Sequence, residues 1–404
     1  MKKLHISFIL LTCALNVFSQ YKVRLNSNAS IGINANIETY FFAEKLAVEH
    51  IGDYVFDLQD VNYSHQPIVY FGYKHFQYAQ NSTTILRIAE ILKQIRDTLH
   101  DNGPILTYLL NQKEFPAKGN RFADNIKSNT TVAPSNLNVL LSELTDSLRN
   151  FYLKAGVGKY LEENRLFYKG ALQEISKDIN KKAYPAIEKW YGKRFTRYEL
   201  YISPAMPITP GEDNYRGFGP VINSPNGKIP SMVVSSSKML APKENLSLYR
   251  QYGFDNREVT QFITVHEISH SFVNPLLEQY KHQIDADSSL FVNGLKEKLA
   301  SRGIRNWYVC MIEHLVRLGE IRIAVSMRNE KEAGRLRSLH IGEYNCVLLP
   351  LLEEEIVRYE TNRAKYPTFE SYLPELVKFL HNITPKTIDG QLAKFQDYKA
   401  GNGR

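Results

Sequence analysis

Apolar residues recur at helical spacing along most of the chain, and short β-prone runs interrupt this pattern. The spacing predicts helices over residues 84–99, 137–152, 161–190, 290–299, 307–327, 346–359 and 369–380. The runs at 67–71, 198–202 and 229–235 indicate strands. This pattern predicts an α+β fold that is dominated by helices, with a small mixed sheet formed near residues 198–235.

The first 20 residues are typical of a secretory signal peptide. Lys2 and Lys3 precede a mostly apolar run, and Ser19 offers a small residue before Gln20. The apolar run is too short for a comfortable membrane span. We therefore expect a secreted or periplasmic protein, with no stable membrane insertion after the signal over residues 1–20 is removed.

A polar segment divides the remaining chain. Residues 118–138 are rich in Asn, Ser and Thr, which favours a loop or linker. We therefore expect a smaller α/β N-terminal region over residues 21–130, whose role the sequence does not indicate, and one larger domain over residues 131–404.

Charge and cysteine content exclude several classes of protein. The net charge of +8 is spread along the chain without a dense Lys/Arg block, so we expect no nucleic-acid partner. After removal of the signal, Cys310 and Cys346 remain. Two cysteines allow at most a single disulfide bridge, and they are too few for a structural zinc site built from cysteines alone.

The segment from Asp255 to Pro275 predicts a long helix with its own start and stop signals. Asp255 and Glu258 have the spacing of a capping box. Pro275 disfavours helical geometry at Asn274, so we expect the helix to end there. Between these signals, apolar side chains recur at Val259, Phe262, Ile263 and Val273.

Within this helix, His266 and His270 are four residues apart and therefore lie on one face. Two imidazoles at that spacing can both bind a single tetrahedral Zn²⁺ at about 2.0–2.1 Å. Glu267 lies beside them, where a carboxylate can polarise a zinc-bound water and carry its proton to a leaving amine. The pattern predicts a hydrolytic site with one zinc ion per chain, and a chance pair of histidines on an ordinary helix is the alternative.

Residues 266–270 resemble the active-site helix of the zincin metallopeptidases. Metzincins have a further His where this chain has Leu276, so the resemblance is to the gluzincins, which take a Glu from a later helix. Residues 271–275, together with residues 313–317 downstream, also resemble uncharacterised exported bacterial zincin-like families. The resemblance implies a helix-dominated zincin-like metallopeptidase domain, with its third ligand in the helix predicted over 307–327. Glu313 is our choice, because an unbound carboxylate is costly among its apolar neighbours, and Glu320 on the same face is the alternative.

The resemblance implies two further groups, and the chain departs from the family pattern in one of them. The family has an acidic residue four positions after the ligand Glu, to orient a ligand His, but this chain has Arg317 there. Either Asp285 or Asp287 orients the imidazoles instead, or the site departs from the gluzincin arrangement. A surface ion pair between Glu313 and Arg317 is a further interpretation.

Gluzincins also stabilise the oxyanion with a His, Tyr or Arg. We prefer Arg317 and Tyr344 among the candidates, which are Tyr308, His314, Arg317, His340 and Tyr344. The run at 232–234 is a candidate edge strand that would pair with an extended peptide, and an ordinary core strand is the alternative.

These observations together predict a secreted zinc metallopeptidase that acts on a peptide or protein substrate. Its metal ligands would be His266, His270 and Glu313, and Glu267 would be its general base. A catalytically silent zincin fold that serves as a binding module is the alternative, and a surface interaction protein with incidental histidines is a third hypothesis.

Overall fold

The computed structural model describes residues 21–51, 63–98, 102–122, 135–208, 215–300 and 303–401. The chain forms two compact units: Met1–Ile179 with Phe195–Ile263, and Asn180–Arg194 with Thr264–Arg404. The predicted signal peptide, most of the predicted linker and the predicted domain boundary at residue 130 lie outside the described residues. No helix in the described part of the chain has the length and apolar character needed to cross a membrane.

The fold is α+β and dominated by helices, which confirms the predicted fold class. The first unit contains a mixed sheet of six strands in the order β1-β2-β3-β6-β4, with β5 also paired to β6. The strands are β1 Lys22–Arg24, β2 Ala29–Gly32, β3 Tyr198–Ile202, β4 Gly217–Phe218, β5 Val221–Ser224 and β6 Gly227–Val234. The two strands expected near residues 198–235 are confirmed as β3 and β6. The pattern missed β1 and β2, because runs of three and four residues are too short to show an alternation.

Strand β6 lies inside the sheet. One of its edges pairs in parallel with β3, where Met232 is opposite Leu200. Its other edge pairs antiparallel with β4 and β5. The expectation that residues 232–234 form an edge strand is therefore wrong, because both edges of β6 are already hydrogen-bonded. These residues are fully buried, as an interior strand requires.

Helices surround this sheet within the first unit. They are α1 Ala35–Ala47, α2 Pro67–Phe76, α3 Thr83–Thr98, α4 Gly103–Leu110, α5 Ser135–Ala155, α6 Val157–Glu163 and α7 Arg165–Asp178. The helices predicted over 84–99 and 137–152 are confirmed as α3 and α5. The strand predicted over 67–71 is wrong, because this run is the start of α2. Pro67 suits the first turn of a helix, and Gly72 allows close approach to Phe42 of α1.

All regular secondary structure in the described residues of the second unit is helical. It contains α8 Ala183–Tyr191, most of α9 Arg257–Glu278, and then α10 Lys281–Ala286, α11 Asn293–Ala300, α12 Trp307–Ser326, α13 Glu330–Arg337, α14 Leu349–Thr361, α15 Phe369–His381 and α16 Pro385–Gly401. A π-helical turn, Ser338–Glu343, follows α13. The periodic stretch at 161–190 is divided among α6, α7 and α8, whereas the later predicted helices agree with α11, α12, α14 and α15.

Helix α12 is the buried centre of the second unit. Most of its residues from Cys310 to Ala324 are buried. Helix α8 packs against it at Gly319, where an added Cβ would lie only 2.4 Å from the Tyr191 hydroxyl oxygen. The absence of a side chain at this position therefore sets how closely the two helices approach. Cys310 and Cys346 are both buried, and no disulfide joins them.

Candidate metal centre

Helix α9 carries the histidine motif, and both of its ends differ from the sequence expectation. Asn256 caps the helix, because its side-chain oxygen accepts a hydrogen bond from the Val259 N–H at 3.3 Å. Asp255 instead forms an ion pair with Lys177 at 2.9 Å. The predicted stop before Pro275 is also wrong, since α9 continues to Glu278. The continuation buries the next two side chains, Leu276 and Leu277.

Three of the predicted site residues converge in the second unit. One donor atom each of His266, His270 and Glu313 lies within 4.8 Å of the other two. The Nε2 atoms of the two histidines are 3.3 Å apart. One carboxylate oxygen of Glu313, Oε2, lies 3.7 Å from His266 Nε2. The other oxygen, Oε1, lies 3.6 Å from His270 Nε2. Helices α9 and α12 thus bring together the two imidazoles and the carboxylate that were chosen from the sequence.

The protonation of the two rings can be inferred from their other nitrogens. His266 Nδ1 is 2.6 Å from a Glu320 carboxylate oxygen, and His270 Nδ1 is 3.1 Å from the Asn274 side-chain oxygen. Both oxygens are acceptors, so each Nδ1 carries a proton. In the neutral rings the two Nε2 lone pairs therefore point toward each other and toward the Glu313 carboxylate.

This donor set fits a tetrahedral cation. Ligand atoms about 2.0–2.1 Å from a tetrahedral zinc ion lie about 3.3 Å from one another, which is close to the separations seen here. Converging lone pairs and a carboxylate repel each other unless a proton or a metal ion lies between them. Two histidines and one glutamate are also a ligand set found in catalytic zinc sites that keep one position open.

Glu267 lies next to His266, the first predicted ligand, on α9 and is 6% exposed. Burial raises the pKa of its carboxyl group to about 7, although the His266 imidazole opposes this shift. Within the described residues, its carboxylate makes no hydrogen bond or ion pair. A carboxylate with a pKa near neutrality and no fixed partner can both accept and release a proton.

Arg317 is a neighbour of the third ligand. Its Nη2 donates to a Glu313 carboxylate oxygen at 3.2 Å. Burial alone would raise the pKa of Glu313, but the His270 imidazole and the Arg317 guanidinium outweigh it and lower that pKa. The ion pair between these residues is confirmed, but it is partly buried rather than at the surface. Its effect is to keep Glu313 ionised, as a metal ligand must be.

Glu320, the alternative third ligand, has a different position. It lies behind His266 and binds the Nδ1 side of that ring, away from the converging Nε2 atoms. It therefore performs the orienting role that we expected of Asp285 or Asp287. Both of those aspartates are engaged elsewhere, with Lys281 and with His381 respectively. The carboxylate that orients the His266 ring thus follows Glu313, the predicted ligand, by seven residues on the same helix, two turns away.

The oxyanion candidates separate into two groups. The Tyr308 hydroxyl donates to Glu278 at 2.8 Å, and His314 Nδ1 is 2.8 Å from the backbone oxygen of Cys310. Neither of these side chains contacts a predicted ligand through those bonds. Arg317, His340 and Tyr344 form the second group, which adjoins Glu313 and Glu320. The Arg317 guanidinium lies over the Tyr344 ring at 4.3 Å and 3.2 Å from His340 Nδ1.

Sequence reasoning missed two roles in this site. Asn274 orients the ring of His270, and its spacing of four residues on the same helix face could have revealed it. His340 was considered only as an oxyanion candidate, whereas its Nε2 lies 2.9 Å from Glu320. No sequence signal connects a residue after α13 with the motif helix, because that contact depends on the tertiary fold.

The chain belongs to the family described as Domain of unknown function (DUF4932), whose model matches residues 52–379. The matched segment contains all of the residues that form the candidate metal centre. No curated protein and no solved structure was found to be similar to the chain. The chemistry of the centre is therefore the basis for assigning a function.

Proposed function

We propose that the chain is an exported zinc-dependent metallopeptidase. The observation that carries this proposal is the convergence of His266, His270 and Glu313 within 4.8 Å, with Glu267 beside them. His266 and His270 would hold the ion through Nε2, and Glu313 through its carboxylate. The resemblance of the motif to zincins and the signal-like N-terminal residues support the same function.

Zinc bound at this centre would supply a Lewis acid that polarises a water molecule and a substrate carbonyl. Glu267 would accept the proton of the attacking water and return it to the leaving amine. Its pKa of about 7 suits both transfers, since the group can be a base and then an acid near neutral pH. Peptide bonds are the proposed substrate, because an unreactive amide needs both an activated water and a protonated leaving group.

Arg317 and Tyr344 are the proposed stabilisers of the developing oxyanion. Burial by itself would lower the pKa of Arg317, but nearby anionic groups raise it, so this side chain remains a cation. Its ion pair with Glu313 keeps the guanidinium close to the metal ligands. Tyr344 packs against that guanidinium and limits where it can move.

The substitution Glu267→Gln tests the proposal most directly. We expect the variant to bind zinc as wild type does but to cleave an unfolded protein substrate about 10²–10⁴-fold more slowly, because the general base is lost. Zinc content and cleavage rate are measured on the same preparations. Glu258→Gln is the matched control, since Glu258 is an exposed carboxylate on the same helix and should be silent in both measurements.

The outcomes separate the proposed enzyme from the binding module. A wild-type chain that holds zinc but cleaves no peptide bond, under conditions in which a zinc peptidase of known activity does, would favour the module. Cleavage by Glu267→Gln at the wild-type rate would contradict the assigned base and with it the proposed mechanism.

A further inference from the structure

His340 is fully buried and lies in an irregular segment of the second unit. It belongs to the π-helical turn Ser338–Glu343, the one such turn in the part of the chain that the structure describes. Shortly after the turn, Asn345 has a positive φ of 56°. π-Helical turns are rare and often occur at functional sites, and a positive φ is uncommon outside glycine. The local backbone therefore departs from regular helix where it presents His340.

The neighbours of His340 determine its protonation. Arg317 Nη1 lies 3.2 Å from His340 Nδ1, and a guanidinium can only donate hydrogen bonds. His340 Nδ1 must therefore be the acceptor. The ring proton is then on Nε2, which donates to a Glu320 carboxylate oxygen at 2.9 Å. The imidazole is thus neutral and has one defined tautomer.

From this ring, two routes lead to the predicted metal ligands. His340 is connected to His266, the first predicted ligand, through Glu320. The other carboxylate oxygen of Glu320 accepts a hydrogen bond from His266 Nδ1 at 2.6 Å. His340 is also connected to Glu313, the third predicted ligand, through Arg317. The Nη2 atom of Arg317 donates a hydrogen bond to Glu313 at 3.2 Å. Arg317, Glu320 and His340 are all buried, so water cannot easily replace these contacts.

We propose that His340 is a positioning residue of the metal centre. It fixes Glu320 and Arg317 together, and thereby sets the direction of the His266 ring and of the Glu313 carboxylate before a metal ion binds. This inference rests on the proposed metal centre. His340 also separates a cation from an anion. Without its ring, Arg317 would pair directly with Glu320 and draw that carboxylate away from His266.

Zinc affinity provides the test, measured by competition with a chromophoric chelator. We expect His340→Leu to weaken zinc binding about 10–100-fold, the usual cost of losing a group that orients metal ligands. His340→Gln should bind more tightly than His340→Asn, because only the longer side chain can place an amide N–H where Nε2 lies. This ordering keeps the test decisive if the leucine variant does not fold.

His314→Leu is the matched control. His314 is equally buried on α12, and its ring donates to the backbone oxygen of Cys310 rather than to Glu320 or Arg317. Urea unfolding of each metal-free variant reports its stability separately. We expect both leucine variants to lose stability, but only His340→Leu to lose zinc affinity.

The results distinguish the inference from the proposed function. If wild type binds zinc and His340→Leu binds it equally well, the positioning role is wrong and the metal centre stands. If His340→Leu and His314→Leu weaken binding equally, the effect is one of general stability and the positioning role is again wrong. A wild-type chain that binds no zinc overturns the proposed centre and this inference with it.

Discussion

The two compact units each contain a deeply buried glutamate, and the two residues have opposite surroundings. Glu38 of the first unit has no exposed surface, and its partners are the Tyr168 hydroxyl at 2.9 Å, the Ala205 N–H at 3.3 Å and the Ser203 hydroxyl. Glu320 of the second unit is 2% exposed and is bound by two imidazoles. Neutral donors surround the first carboxylate, whereas rings that can carry charge surround the second.

The pKa values of the two carboxyl groups differ for this reason. Burial raises the pKa of Glu38 to about 7, because the hydrogen bonds from Ser203 and Tyr168 only partly offset the loss of water. Burial acts on Glu320 in the same direction, but the imidazoles of His340 and His266 outweigh it and lower the pKa. The comparison teaches that depth of burial does not identify a functional carboxylate, since the kind of partner that it contacts decides its state.

Glu267 provides a second comparison with Glu38. Its pKa is also raised to about 7 by burial, as that of Glu38 is. The two residues differ in their partners: Glu38 is held by three donors, whereas Glu267 has none within the described residues and adjoins the predicted ligands. A raised pKa therefore suggests a role in proton transfer for Glu267, whose carboxylate is not held by donors, and not for Glu38.

The largest effect that we predict on stability is that of Glu320→Gln. Removing the charge leaves Arg317 buried with less compensation and weakens the bond to His266. We expect the free energy of unfolding of the metal-free protein to fall by about 3–5 kcal/mol at pH 8, because the buried Arg317 cation loses one of its nearby negative charges and a buried imidazole N–H loses its acceptor. Urea denaturation measures this change, and a loss below about 1 kcal/mol would show that Glu320 contributes no more to stability than a charge at the surface does.

The substitution Glu38→Gln should raise the free energy of unfolding at pH 8, by less than Glu320→Gln lowers it. The pKa of Glu38 is about 7 in the folded chain and about 4.5 in the unfolded chain, so its contribution to stability is full below pH 4.5 and is lost as the pH rises through 7. The free energy of unfolding of the variant, relative to that of wild type, should therefore rise by about 3 kcal/mol between pH 4.5 and pH 8.

Zinc affinity serves as the control measurement for both substitutions. Glu38→Gln should leave zinc affinity unchanged, whereas Glu320→Gln should lower it. A stability difference between Glu38→Gln and wild type that is independent of pH would mean that Glu38 is ionised in the folded chain. The contrast between the two carboxylates would then be lost.

The convergence of residues at the candidate metal centre could be predicted in large part because its signals are local. His266 and His270 are related by one helical turn, and Glu313 stands out as a carboxylate among apolar neighbours in the next long helix. The helices α3, α5, α12 and α15 were predicted for the same reason, since their spacing repeats over several turns.

The rest could not be predicted because it depends on distant partners. Nothing near Glu38 in sequence indicates that it is buried, since Tyr168 and Ser203 follow it by 130 and 165 residues. The role of His340 likewise requires the turn after α13 to return to α12. At Pro275 the local rule was overridden, because the buried side chains beyond it stabilise the continued helix.

The central claim is that His266, His270 and Glu313 hold one metal ion, and the number of zinc ions bound per chain tests it most directly. Purified wild-type protein and His270→Ala are equilibrated with Zn²⁺, passed through a desalting column and analysed for metal. We expect one zinc ion per wild-type chain and none in the variant, because the remaining two ligands bind too weakly to retain it. A wild-type chain without zinc, or equal zinc in both proteins, would contradict the account.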